Sequence, residues 1–145
     1  MFADKTRVPV QQSRAEIEKL LERHKAKQYG TAVDYDVRQA RVQFRLSDRI
    51  VRFIIALPDP KKLGNGSRLE QAERQRWRAL LLVIKAKLES VENAIETFEQ
   101  AFLANVVLPN DKTVAEMTQP LIAAAYRDGR MPKALLESGT PEKAS

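Results

Sequence analysis

The sequence predicts an α+β fold in the order N-terminal helix, three-stranded antiparallel meander, long heptad-patterned helix, short C-terminal helix (αβββαα). Three observations carry that expectation. Apolar residues recur at helical spacing over Ile17, Leu20, Leu21 and His24. They alternate with period two across 29–57. From Trp77 to Phe102 they keep an unbroken 4,3 spacing. The chain has 145 residues, 43% of them hydrophobic and 30% charged. That length fits one domain, burying roughly 68–70% of its unfolded surface.

Residues 1–12 read as a polar N-terminal arm containing Pro9. "SRAE" (13–16) matches a capping box, so the first helix is expected to open at Ser13 and to end before Gly30. Three alternating runs follow. They are Tyr29, Thr31, Val33, Tyr35, Val37; then Ala40, Val42, Phe44, Leu46; then Val51, Phe53, Ile55, Leu57. The short connections "DVRQ" and "SDR" make these a meander with one buried face.

"PDPKKLGNG" (58–66) is a loop by its Pro and Gly content, and "SRLE" (67–70) is a second capping box. Trp77, Leu81, Ile84, Leu88, Val91, Ile95, Phe98 and Phe102 then predict one helix over about 67–105. Such a helix would be about 58 Å long. The stripe is expected to form core or a helix hairpin, with a homo-oligomer seam over 77–102 as the alternative. "VVLPNDK" ends the helix, and "TVAE" (113–116) opens the next segment. Pro120 is expected to divide that segment into a turn and a helix near 120–128, stopped by Gly129. A single domain over 13–136 is the reading, with "RMPKALL" as a docked apolar strand and 137–145 as a tail.

Charge is the most informative property. The net is +6, but residues 1–87 carry 20 Lys/Arg against 10 Asp/Glu, and residues 88–145 carry 5 against 9. A basic half favours a polyanion or an acidic protein as partner. On the meander, Arg41, Arg45 and Arg52 alternate with core positions, and Arg38 and Arg49 stand at strand ends. These five are expected on one exposed face or its rim. The predicted long helix begins with Arg68, Arg74, Arg76 and Arg78 and continues into Glu89, Glu92, Glu96 and Glu99, so both halves oppose its macrodipole. Gly64 and Gly66, with Lys61 and Lys62 before them, form a turn whose N–H groups suit phosphate. It is not a G-x-x-x-x-G-K-[ST] loop.

Other candidates read as structural. Trp77, Tyr29 and Tyr35 are expected as buried anchors rather than base-stacking platforms. His24, the one histidine, reads as a boundary residue. Glu92, Glu96 and Glu99, one turn apart on the predicted helix, read as a solvated acidic face. No nucleophile–base pair, metal-ligand cluster or cofactor motif is readable, so no catalytic residue is expected. There is no cysteine, the N-terminus has no apolar signal core, and the longest apolar run, "ALLLVI", cannot span a bilayer. The expected location is the cytoplasm of a bacterium or an infected host cell, with no membrane partner.

The element order, with "GNGSRLEQAERQRWRAL", resembles double-stranded-RNA-binding domains over about residues 13–90. The short first hairpin and the long last helix depart from that family, so the resemblance implies topology alone. "TRVPVQQSRAEIEKLL", "VRFIIALPDP", "RWRALLLVIKAKLESVENAIETFEQAFLANVVLP" and "YRDGRMPKALL" resemble small phage- and prophage-encoded proteins. That resemblance implies a viral setting and no activity. The functional expectation is a non-enzymatic nucleic-acid-binding protein, an accessory in phage DNA replication or recombination. The alternative is a protein-interaction module or inhibitor that meets an acidic host or phage protein through its basic surface or long helix.

Overall fold

Pro9, not Ser13, opens the first helix: its carbonyl accepts from Gln12 N–H (3.0 Å) and Ser13 N–H (3.3 Å). In the computed structural model, which describes residues 9–133, helix α1 spans Val10–Arg23. The arm before Pro9, residues 134–136 of the predicted strand and the tail lie outside the described residues, and residues 130–133 of that predicted strand are not in a strand. Within α1, Ser13 joins Ile17, Leu20 and Leu21 on the buried face. The helix closes with a Schellman pair. Lys25 is left-handed (φ 65), its N–H meets Glu22 O at 2.9 Å, and Ala26 N–H meets Leu21 O at 3.0 Å.

Strands β1 (Gln28–Asp34), β2 (Gln39–Leu46) and β3 (Arg49–Ala56) form an antiparallel sheet in the order β1-β2-β3. The meander stands as expected. Tyr35 and Val37, however, fall in the first turn, where Asp34 Oδ1 accepts from the N–H groups of Asp36 and Val37. The second turn is two residues, Ser47 (φ 51) and Asp48 (φ 58), a left-handed pair that suits strand twist. Ala40, Val42, Phe44, Val51 and Phe53 are buried on one face.

A short helix α2 (Pro60–Leu63) leads into α3 (Ser67–Glu92). Gly66 takes the N-cap position of α3 with no side-chain cap bond, so Ser67 is a helical residue rather than a cap. Leu69, Trp77, Leu80, Leu81, Ile84 and Leu88 are the buried residues of α3. With α1, Trp77, Leu80, Leu81, Ile84 and Leu88 join the apolar face of the sheet in one core cluster.

The predicted helix over 67–105 ends at Glu92. Ala94 is left-handed (φ 57), and Ala94 N–H to Val91 O (3.1 Å) with Ile95 N–H to Ser90 O (2.9 Å) makes a second Schellman pair. Thr97 then caps α4 (Phe98–Phe102) with a capping box shared with Gln100. The reversal returns Phe102 to the core, edge-on to Phe44 (5.7 Å) and Phe53 (6.2 Å). A straight helix would carry Phe102 past the sheet, forfeiting about 1.5–3 kcal/mol of burial. Ile95, at the break, is 76% exposed.

Beyond a 3-10 turn (Leu103–Asn105), Val106 bridges to Val51 and Val107 to Thr113. Thr113 caps α5 (Val114–Asp128) in a capping box with Glu116, as the sequence predicts. Pro120 does not divide this helix. It lies on the exposed side, so the carbonyl left without a donor faces solvent. Gly129, left-handed at φ 68, ends it.

Candidate nucleic-acid interface

The five arginines assigned to one sheet face separate into two groups. Arg41 and Arg45 are exposed on the face turned away from the helices, and no ion pair engages either among the described residues. Arg52 shares that face but is 7% exposed. Its guanidinium donates to Asp111 Oδ1 (2.6 Å), Asp111 O (2.8 Å) and Gln43 Oε1 (2.9 Å). The hydrogen bond and charge of Arg52 hold the Asp111 carboxyl below its ordinary 3.8.

Arg38 and Arg49 turn toward the helices. Arg38, left-handed at φ 53, donates to Pro58 O (2.8 Å) and Glu73 Oε1 (2.9 Å), with its guanidinium 5.6 Å from the Tyr35 ring. Arg49 Nε meets Glu99 Oε1 at 2.7 Å, an exposed pair of small energetic weight. The sheet strip is therefore two free arginines, not five.

The turn before α3 keeps its exposed cations. Lys61 and Lys62 stand in the last turn of α2, and Gly64 (φ 76) stops that helix with its N–H on Pro60 O. Gly64 thus serves the turn itself. Arg68 and Arg76 are exposed on α3 without an ion pair among the described residues. Arg74 and Arg78 occupy another side of the helix, four residues apart. Arg74 donates to Gln71 Oε1 (2.8 Å), and Arg78 pairs with Glu16 Oε2 on α1 (3.1 Å).

That last contact locates a feature the sequence did not show. Helices α1 and α3 run side by side in the same direction. The Arg14 guanidinium lies 5.3 Å from the Trp77 ring and is anchored on Thr31 Oγ1, and Glu16 meets Arg78. Further along, Lys19 and Arg23 of α1 face Arg78 and Lys85 of α3 across a shallow groove of about 270 Å³ floored by Leu20, Leu81 and Leu82. Four cations thus surround one carboxylate, Glu16, which Arg78 already engages. The other acids of α1, Glu18 and Glu22, lie toward β1, where they push the Tyr29 hydroxyl above its ordinary pKa. Arg74 continues the seam one turn back. The signal was present as Lys19/Arg23 and Arg74/Arg78/Lys85 at helical spacing, but combining the two sets requires the packing of α1 on α3.

Trp77 is a buried anchor (1% exposed), whereas Tyr29 and Tyr35 are not: they are 40% and 64% exposed. His24 caps the end of α1 and is half-buried, the boundary position expected. Glu92, Glu96 and Glu99 share no helix face, because the chain turns between them. Glu96 accepts from Ser90 and Glu99 from Arg49. Among the described residues no cluster of three His, Asp or Glu is placed to hold a metal ion, and no helix is long and apolar enough to cross a membrane. The heptad stripe is spent on the molecule's own core, with Trp77, Leu81, Ile84, Leu88 and Phe102 all buried. Of its other members, Val91 and Phe98 are partly buried and Ile95 is 76% exposed.

Comparison of the chain with protein-family models, with curated proteins and with solved structures gives no match.

Proposed function

We propose that this protein binds nucleic acid without acting on it chemically, and that the α1–α3 seam is the contact surface. One observation carries the reading: Lys19, Arg23, Arg78 and Lys85 converge around a single carboxylate that is already paired. Eleven residues of helix separate Arg74 from Lys85, about 16 Å. Over that length one strand of a duplex presents about five phosphates. The cations of the seam are as many, and none is set among base-reading groups. The expected binding is therefore to the backbone, independent of sequence and weakened by salt. Arg68, Arg76, Lys61 and Lys62 extend the positive field at the start of α3, and Arg41 and Arg45 contribute a weaker one from the sheet. The setting we propose, an accessory role in phage or prophage DNA replication or recombination, rests on the sequence resemblance alone.

The test is fluorescence anisotropy with labelled single- and double-stranded DNA and RNA. Lys19→Glu with Lys85→Glu is expected to weaken binding at least tenfold at unchanged thermal stability, and Arg41→Glu with Arg45→Glu to weaken it less. Absence of binding at low salt, or equal binding by the seam variant, contradicts the reading.

A further inference from the structure

The sheet's outer face has a different chemistry from the seam. Cross-strand register builds it from three rungs: Gln28–Arg45–Ile50, Gly30–Gln43–Arg52 and Ala32–Arg41–Ile54. The middle rung is occupied internally, since Arg52 is held by Gln43 and Asp111. Each outer rung presents a free arginine beside an isoleucine that is 40% (Ile50) or 43% (Ile54) exposed. On β1 the face is low, because Gly30 and Ala32 carry little side chain, and a Cβ added at Gly30 meets open space. Two shallow hollows result, of about 410 and 610 Å³, with Ala32 and Arg41 lining both.

We infer that this face docks a short acidic amphipathic segment of a protein partner, its carboxylates on Arg41 and Arg45 and its apolar side chains on Ile50 and Ile54. The two arginines are four residues apart on one strand, about 13 Å. A helix lying along β2 brings carboxylates seven or eight positions apart to a similar distance, roughly 11–12 Å. The isoleucines lie directly across the strand pair from the arginines, about 5 Å away, so the residues on the β3-facing flank of that helix, beside its carboxylates, reach them. Charge complementarity selects an acidic occupant at Arg41 and Arg45: Asp111, beside this face, is taken by Arg52. Asp34 and Asp36 stand at the far end of the larger hollow, away from Arg45. A bare polyanion gains nothing from the isoleucines. The nucleic-acid reading rests on the other layer, at the α1–α3 seam, and draws only a weaker, long-range contribution from Arg41 and Arg45.

The test titrates the full chain with three labelled 16-residue peptides: an amphipathic glutamate–leucine helix, its lysine–leucine counterpart and poly-glutamate. A duplex oligonucleotide is the fourth probe. Amide chemical-shift mapping locates each site. The glutamate–leucine peptide is expected to shift Ala32, Arg41, Gln43, Arg45, Ile50 and Ile54. Its binding should weaken at least tenfold in Arg41→Glu with Arg45→Glu, and likewise in Ala32→Glu, a single exposed change that leaves the arginines in place. Lys19→Glu with Lys85→Glu should leave it unchanged. The inference is overturned if that peptide does not bind at low salt, if its shifts map elsewhere, or if poly-glutamate binds as well. It is equally overturned if the oligonucleotide occupies this face in its place.

Discussion

Ser13 stands where the core expects an apolar side chain. It is fully buried on the stripe it shares with Ile17, Leu20 and Leu21, and its Oγ has no hydrogen-bond partner among the described residues. A buried hydroxyl without a partner is destabilising, and alanine is the better helix former. Ser13→Ala is expected to stabilise the protein by about 1 kcal/mol in urea unfolding, and a loss of stability would contradict this placement. Arg52 is the converse case, a buried cation that is fully engaged. Asp111, which it holds, has a depressed pKa, and so has Glu116, lowered by its backbone and side-chain bonds to Thr113. A carboxyl whose folded pKa lies below its unfolded value stabilises the fold above the unfolded value and loses that contribution as pH falls through the folded one. The contribution of Glu116 should therefore be complete above about pH 4.5 and decline as pH falls below it, and that of Asp111 should decline as pH falls below 3.8, the ordinary values of the two groups. Asp111→Asn should flatten that decline in acid-unfolding midpoints. Arg52→Met should cost more at neutral pH than Asp111→Asn, because it also abandons the bonds to Gln43 and the Asp111 carbonyl. Which arginines are free was not legible in the sequence. Arg38–Glu73, Arg49–Glu99 and Arg52–Asp111 join residues 35, 50 and 59 positions apart, beyond any local pattern.

At the scale of elements, periodicity marked what is buried more reliably than where each helix ends. The 4,3 stripe identified Trp77, Leu81, Ile84, Leu88 and Phe102 as core, and all are buried. It ran straight through a helix end because Ala94, a residue with no turn signature, adopts the left-handed conformation there. "TFEQ" (97–100) was the readable sign of a restart: it matches the same capping pattern as "TVAE", and Thr97 and Thr113 both cap. "SRAE" and "SRLE" match it too, yet Ser13 and Ser67 are helical because Pro9 and Gly66 take the cap positions before them. Ala94→Gly relieves the left-handed strain and is expected to add about 0.5–1 kcal/mol of stability. A decrease in the urea midpoint would show that the chain break does not depend on this backbone conformation.

Across the whole molecule, the charge polarity legible in the sequence is partly cancelled by folding. Arg49 and Arg52, from the basic part, reach Glu99 and Asp111 from the acidic part. The α1–α3 seam escapes that cancellation because its lining residues, Glu16 to Arg23 and Arg74 to Lys85, all belong to the basic part. Its lining acid is Glu16, and α1 turns Glu18 and Glu22 toward β1. The parallel seating of α1 on α3 follows from apolar packing against the sheet, which no charge count reveals. The most direct measurement of the central claim is the salt dependence of duplex binding. Lys19, Arg23, Arg74, Arg78 and Lys85 together predict a slope of log K against log[salt] of about −4.5, since each neutralised phosphate contributes roughly −0.9. Lys19→Ala with Lys85→Ala should reduce its magnitude by about 2. A slope that the double variant leaves unchanged, or an affinity indifferent to salt, would contradict it.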